Sequence, residues 1–182
     1  HRATAGSVVL AGRDVTGLSA NRMVRAGIAR TFQTTRLMRT WTVRQSLALA
    51  RLTDRAQRHG SVEHIASIVG IGDIMDATTA RLPSAVQRLV MIASALSTGP
   101  SVLLLDEPAV GMDLAEAEHL HEVVRRVRGE LGITVLLVEH NMRFLMSLAD
   151  AVVVMASGRV LAQGTPEDVR ADPAVIAAYL GG

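Results

Sequence analysis

The 182-residue chain contains no cysteine, no lysine, and only one Trp, one Tyr and two Phe. Without cysteine, a disulfide framework and a thiolate metal site are both excluded, and a reducing compartment is expected. Scarce aromatics remove the stacking surfaces on which single-strand nucleic-acid binders rely. Long apolar runs are missing too. The runs around Val102, Thr134 and Ala151 fall well short of the roughly 18 residues needed to cross a bilayer. No signal-peptide pattern opens the chain, so a soluble protein is expected, able to sit on a membrane partner.

Charge is present but nearly balanced, with 19 Lys+Arg against 17 Asp+Glu and a formal net charge of +2. Because every basic residue is Arg, the isoelectric point climbs to 10.3 on that small excess, until the guanidinium groups themselves begin to lose protons. The basic residues are scattered, so no nucleic-acid partner is expected. At 49% hydrophobic residues, the chain has enough apolar material for one sizeable α/β core.

The organising stretch is Val102-Leu103-Leu104-Leu105-Asp106-Glu107-Pro108, entered from Gly99-Pro100. Four apolar residues without polar alternation read as a short strand buried on both faces, as in the middle of a parallel sheet. Two carboxylates at its carboxyl end then stand on the rim where open α/β sheets bind ligands. There Asp106 suits a metal ion and Glu107 suits orienting or deprotonating a water. Alone, the stretch reads equally well as a strand followed by a solvated turn.

The chain opens with a short strand over Ser7–Ala11, and Asn21 reads as the cap of a short helix. Gly27 to Phe32 reads as another strand, with Gln33 at its end. From Thr42 the pattern turns helical through Val43, Leu47 and Ala50; a second helix runs from Ser61 to Val69, with a polar loop between Asp54 and Gly60. An amphipathic helix is predicted over Ser84–Leu96 and another after Gly111-Met112-Asp113, through Leu120 and Val127 to Leu131. Thr134–Val138 forms a second apolar strand ending in Glu139-His140. The resulting βαβ unit places its strands parallel, so Asp106, Glu107 and His140 are expected to face one site. Ser157-Gly158 marks a hairpin turn, and two short helices close the chain, one starting at Thr165-Pro166-Glu167.

In this order the motifs resemble those of the nucleotide-binding subunit of an ATP-binding cassette (ABC) transporter. Val102–Pro108 resembles its Walker B motif with the catalytic Glu, Gly111-Met112-Asp113 the D-loop, Val138-Glu139-His140 the switch histidine and Ala29–Gln33 the Q-loop. Gly27–Gln33, Asn141-Met142 and the ending from Gly164-Thr165-Pro166 through Ala178-Tyr179-Leu180-Gly181 are similar to the ATPases of branched-chain amino-acid importers. The resemblance implies a P-loop NTPase-type α/β cassette over residues 1–182, with a mostly parallel sheet and a helical subdomain over 42–81. It implies ATP and Mg2+ as ligands, with Asp106 and Gln33 on the metal, and Glu107, His140 and Gln33 in catalysis. Ser84, Ala85, Gln87 and Asp113 would meet nucleotide across a dimer interface. A second ATPase subunit, possibly unlike this one, and transmembrane permease subunits are the implied partners, at the cytoplasmic face of the plasma membrane. No coiled-coil insertion follows Gln33, which leaves the DNA-repair branch of the superfamily without support.

Two departures from the family pattern stand out. With no lysine, these residues hold no Gly-x-x-x-x-Gly-Lys-Ser/Thr phosphate loop, and the expectation is a cassette lacking its first strands. Where Leu-Ser-Gly-Gly-Gln would precede the Ser84 helix, the chain reads Leu82-Pro83-Ser84-Ala85-Val86-Gln87. Pro83 has no N–H, and Ala85 puts a methyl where close phosphate approach favours Gly. Loss of one oxyanion-type donor costs roughly 10²- to 10³-fold in rate, so feeble ATPase activity is expected of the chain alone. The rival reading is a non-catalytic module that dimerises with and docks onto a competent partner.

Overall fold

The computed structural model describes residues 3–31 and 37–179. They fall into two compact units, His1–Val138 and Glu139–Gly182. Among the described residues no helix is long and apolar enough to cross a membrane.

The first unit opens with a hairpin, β1 (Val9–Leu10) against β2 (Arg13–Asp14), antiparallel. Ala11 and Gly12 both have positive φ, 47° and 78°, the two-residue turn that suits strand twist. The expected strand over Ser7–Ala11 is therefore shorter, because Ala11 already belongs to the turn. Helix α1 (Ala20–Ala26) begins after Ser19, not Asn21, and ends on Gly27 at φ 103°. Asn21 lies one residue inside the helix, so the expected cap is corrected.

Strands β3 (Ile28–Arg30), β4 (Val102–Asp106) and β5 (Thr134–Val138) make a parallel sheet in the order β3-β4-β5. Residue Leu103 faces Ala29 on one side and Val135 on the other; Asp106 faces Val138. The central place of β4 is as expected, but its burial alternates. Leu103 and Leu105 are 1% exposed, while Val102 and Leu104 are only half-buried, and Leu136 and Val138 of β5 are exposed. One sheet face is thus packed and the other open, which an apolar run alone does not disclose.

Helix α2 (Val43–Ala50) begins at Thr42 in a capping box with Gln45, and α3 (Val62–Val69) is capped by Ser61. Helix α4 (Ser84–Leu96) packs against both, and α3 packs against α5 (Leu114–Leu131). Leu47, Ile65, Ile68, Val90, Leu96 and Leu120 are at most 1% exposed and form this core. Residues 54–60 form the polar connection expected between the two helices, but it is structured and partly buried. Ala56–His59 forms a 3₁₀ turn, and His59, 4% exposed, donates from Nε2 to the Pro100 carbonyl at 2.7 Å. The guanidinium of Arg55 donates to Gly99 O and Ser101 Oγ, so this polar segment clamps the turn that feeds β4.

The second unit holds α6 (Met142–Leu148), the antiparallel pair β6 (Val152–Ala156) and β7 (Arg159–Gly164), α7 (Pro166–Ala171) and α8 (Pro173–Tyr179). The hairpin turns on Ser157 and Gly158, at φ 48° and 76°, and α7 starts with Pro166 at its first position behind the Thr165 cap. Both features are as expected. Val152, Val154, Val169 and Val175 form its core.

Candidate functional site

The parallel register brings the carboxyl ends of β3, β4 and β5 to one edge of the sheet. Asp106 closes β4 there, and its Oδ2 accepts a hydrogen bond from Arg30 Nη2 of β3 at 2.8 Å. Both side chains are partly exposed, 54% and 32%, so this pair holds the carboxylate in place more than it stabilises the fold. Glu107 follows at φ 46°, a left-handed conformation that costs an L-residue about 1–2 kcal/mol. Its N–H still reaches Val138 O at 2.8 Å, so the β4–β5 ladder extends one residue past the strand before the chain turns.

The loop beyond Glu107 is tied down from α4. Arg88 Nη1 donates to Pro108 O at 2.7 Å and to Val110 O at 2.5 Å. Within the loop, the N–H groups of Val110 and Met112 reach back to Glu107 O and Ala109 O. Asp113 then caps α5: Oδ1 accepts from Glu116 N at 2.9 Å, and Glu116 Oε2 accepts from Asp113 N at 3.1 Å. The carboxylate of Asp113 is thus engaged within its own helix start.

At the start of α4, Pro83 occupies the cap position without a side-chain bond, Ser84 is exposed and Ala85 is 9% exposed. Gln87 turns its amide back on the entering chain, Nε2 donating to Leu82 O at 2.8 Å. Of the four residues expected to meet nucleotide across an interface, Ala85 is packed inward, while Gln87 and Asp113 are committed locally. Only Ser84 presents a free-standing polar group to solvent.

His140 lies in the second unit, two residues along the chain from Val138. Glu139, its side chain 1% exposed, accepts at Oε2 from the N–H groups of His140 at 3.0 Å and Asn141 at 3.2 Å. The His140 ring is 69% exposed, with Nδ1 3.9 Å from that oxygen. Asn141 Oδ1 accepts from Phe144 N and so caps α6. The buried Glu139 carboxylate therefore holds the turn that presents His140. Gln33 lies outside the described residues.

Among the described residues no group of three or more His, Cys, Asp or Glu is placed to hold a metal ion. The donor chemistry at the sheet edge nevertheless suits Mg2+, which takes hard oxygen ligands and is commonly bound through one or two carboxylates, substrate phosphates and water. Asp106 is the candidate carboxylate. Three positioning groups went unassigned in the sequence reading: Arg30, Arg88 and Glu139. All three lie in or beside quoted motifs, but pairing them with Asp106, the Pro108 loop and the His140 turn requires register or tertiary contact.

A family model described as ABC transporter matches residues 1–110, and one described as branched-chain amino acid ATP-binding cassette transporter matches residues 159–182. The chain is 32% identical over 204 residues to the high-affinity branched-chain amino acid transport ATP-binding protein BraF of Pseudomonas aeruginosa, covering 100% of this chain and 78% of BraF. LivG of Escherichia coli K12, which carries the same description, is 33% identical over 212 residues, with the same two shares. The methionine import ATP-binding protein MetN of Corynebacterium glutamicum is 35% identical over 176 residues, covering 93% of this chain and 49% of MetN. Among solved structures, the ADP conformation of MJ1267, an ATP-binding cassette of an ABC transporter, superposes with a TM-score of 0.83 at 24% identity, covering 100% of this chain and 79% of that one.

Proposed function

The chain belongs to the ABC transporter family of ATP-binding subunits, and on that premise we propose that it serves an importer of branched-chain or other small amino acids. The single observation behind this reading is the sheet edge: a parallel β3-β4-β5 array ending in Asp106 and Glu107, in a chain whose carboxyl-terminal residues match the branched-chain family. In this role Asp106 and Gln33 support Mg2+, which neutralises charge on the nucleotide phosphates. Glu107 orients and polarises the attacking water, and His140 stabilises the γ-phosphate. Ser84, Gln87 and Asp113 belong to the face turned toward a second ATPase subunit, with Ala85 packed behind Ser84. Residues 42–81 form the helical subdomain toward the permease, with the subunit on the cytoplasmic side of the plasma membrane. Phosphoryl transfer to water is chiefly positioning and charge stabilisation, which suits the fixed geometry of Asp106 and of the turn at Glu107.

For the 182-residue chain by itself, turnover is weak. No lysine is present to hold phosphates, Pro83 supplies no N–H at the α4 start, and Ala85 is packed inward. These observations favour a second reading, in which the chain completes a dimer without hydrolysing ATP. Deleting its coding sequence in the source organism is expected to lower uptake of labelled leucine, isoleucine and valine; unchanged uptake refutes the importer. Complementation with Glu107→Gln separates the two readings, because a catalytic subunit fails and a non-catalytic one restores uptake. Phosphate release by the purified chain that disappears in Glu107→Gln overturns the expected weakness.

A further inference from the structure

The second unit carries a half-open cavity of about 430 Å³, lined by Met142, Arg143, Met146 and Ser147 of α6, Arg170 of α7, and Val175 and Ile176 of α8. The α6 residues recur at spacings of one, three and one, so they share a helix face. The size falls within the range of small-molecule pockets, which are mostly apolar with a few placed polar groups. Two methionines, a valine and an isoleucine make the wall, and methionine adapts its shape to flexible apolar ligands. Among the described residues neither the Arg143 nor the Arg170 side chain has an ion pair or hydrogen bond. Acids near them in sequence are engaged elsewhere: Glu139, four residues before Arg143, accepts from the N–H groups of His140 and Asn141, and on either side of Arg170 Asp168 bonds Thr165 and Asp172 the N–H groups of Ala174 and Val175.

We infer that this cavity binds an anionic amphiphile, an alkyl carboxylate whose chain lies along the methionine wall and whose head is taken by Arg143 and Arg170. A guanidinium fork matches a carboxylate in shape and charge. Among the described residues no acidic side chain lines the cavity, so the ammonium of a zwitterionic amino acid finds no counter-charge, and the pocket selects a monoanion. The volume suits one short chain, not a protein segment. All of its lining residues belong to the second unit, and the site stands whether or not the transport reading holds.

The test is calorimetric titration of the full 182-residue chain with decanoate, decanol and decylammonium. Decanoate is expected to bind saturably at one site, and decanol and decylammonium at least about tenfold more weakly, the scale of one charged hydrogen bond. The double variant Arg143→Ala/Arg170→Ala loses decanoate binding by a similar factor, while Arg125→Ala on α5 leaves it unchanged. Should the double variant lose its fold, as judged by circular dichroism, Met146→Trp, which fills the groove and keeps both charges, is expected to abolish binding. Equal binding of decanoate and decanol, or decanoate binding unmoved by these substitutions, overturns the site. Sedimentation with phosphatidylglycerol vesicles that depends on the two arginines also overturns it, assigning them to a membrane surface.

Discussion

Arg88 offers the sharpest test of how the loop after β4 is held. One nitrogen of its guanidinium donates to two carbonyls, Pro108 O and Val110 O, and removing the side chain leaves both acceptors without their partner. Hydrogen bonds from a charged donor contribute about 1.5–3 kcal/mol each. Arg88 is half-buried and Val110 is partly open to water, so water recovers part of the loss and Arg88→Ala costs about 2–4 kcal/mol. For a domain of this size each kcal/mol lowers the melting temperature by roughly 2–4 °C, which places the expected drop at about 5–15 °C by circular dichroism. Arg88→Lys keeps a charge but not the planar head, and is expected to fall between the two. Amide exchange adds a local readout. The N–H groups of Val110 and Met112, bonded to Glu107 O and Ala109 O, should open faster in Arg88→Ala than the global loss accounts for. A melting temperature within about 1 °C of the parent, with those amides unchanged, refutes the tether.

Three further predictions rest on neighbouring features. Burial holds the His59 imidazole below its ordinary pKa of 6.5, with the charges of Arg58 and Arg55 adding to the effect and the Pro100 bond opposing it. The unfolded chain then binds a proton more readily than the folded one. Stability is present in full above the unfolded pKa and declines as pH falls through 6.5 toward the lower folded value; His59→Gln is expected to flatten that slope in denaturant titrations. A Cβ at Gly99 would lie 1.9 Å from Arg55 O at φ 72°, so Gly99→Ala must displace backbone. With a left-handed penalty and overpacking together, it should cost about 2–5 kcal/mol, measurable as a lowered denaturation midpoint. Asp113→Ala removes the α5 cap and should cost about 1 kcal/mol, whereas Asp113→Asn or Asp113→Ser should recover most of it. If Asp113→Ser fails to recover stability, the cap assignment is wrong.

Much of the fold was legible before any coordinates. Helix α4 begins at Ser84, after Pro83, and ends before the Gly99-Pro100 break, because helical spacing and its punctuation agree over thirteen residues. Strands β4 and β5 follow from their apolar runs, and the parallel pairing from the helix between them. The β6–β7 hairpin follows from Ser157-Gly158, since few residue pairs accept two successive positive φ angles. These are local matters, decided by backbone sterics and by periodicity within a dozen residues.

Other features needed the chain to fold on itself. Polarity marked residues 54–60 as a loop but not its anchoring: Arg55 and His59 find carbonyl partners more than forty positions away in the 98–101 turn, and a satisfied polar group no longer favours water. Register put Arg30 on Asp106 across 76 positions, and a contact with α4 put Arg88 on the Pro108 loop. The left-handed turn at Glu107 comes directly after the last β4–β5 bond and runs against the residue's own preference. The sequence by itself determined which segments are helix or strand and which carboxylates end β4, because those depend on neighbours along the chain. Only tertiary structure decided which faces are covered and which arginines hold those carboxylates and turns, because burial and ion pairing depend on neighbours in space.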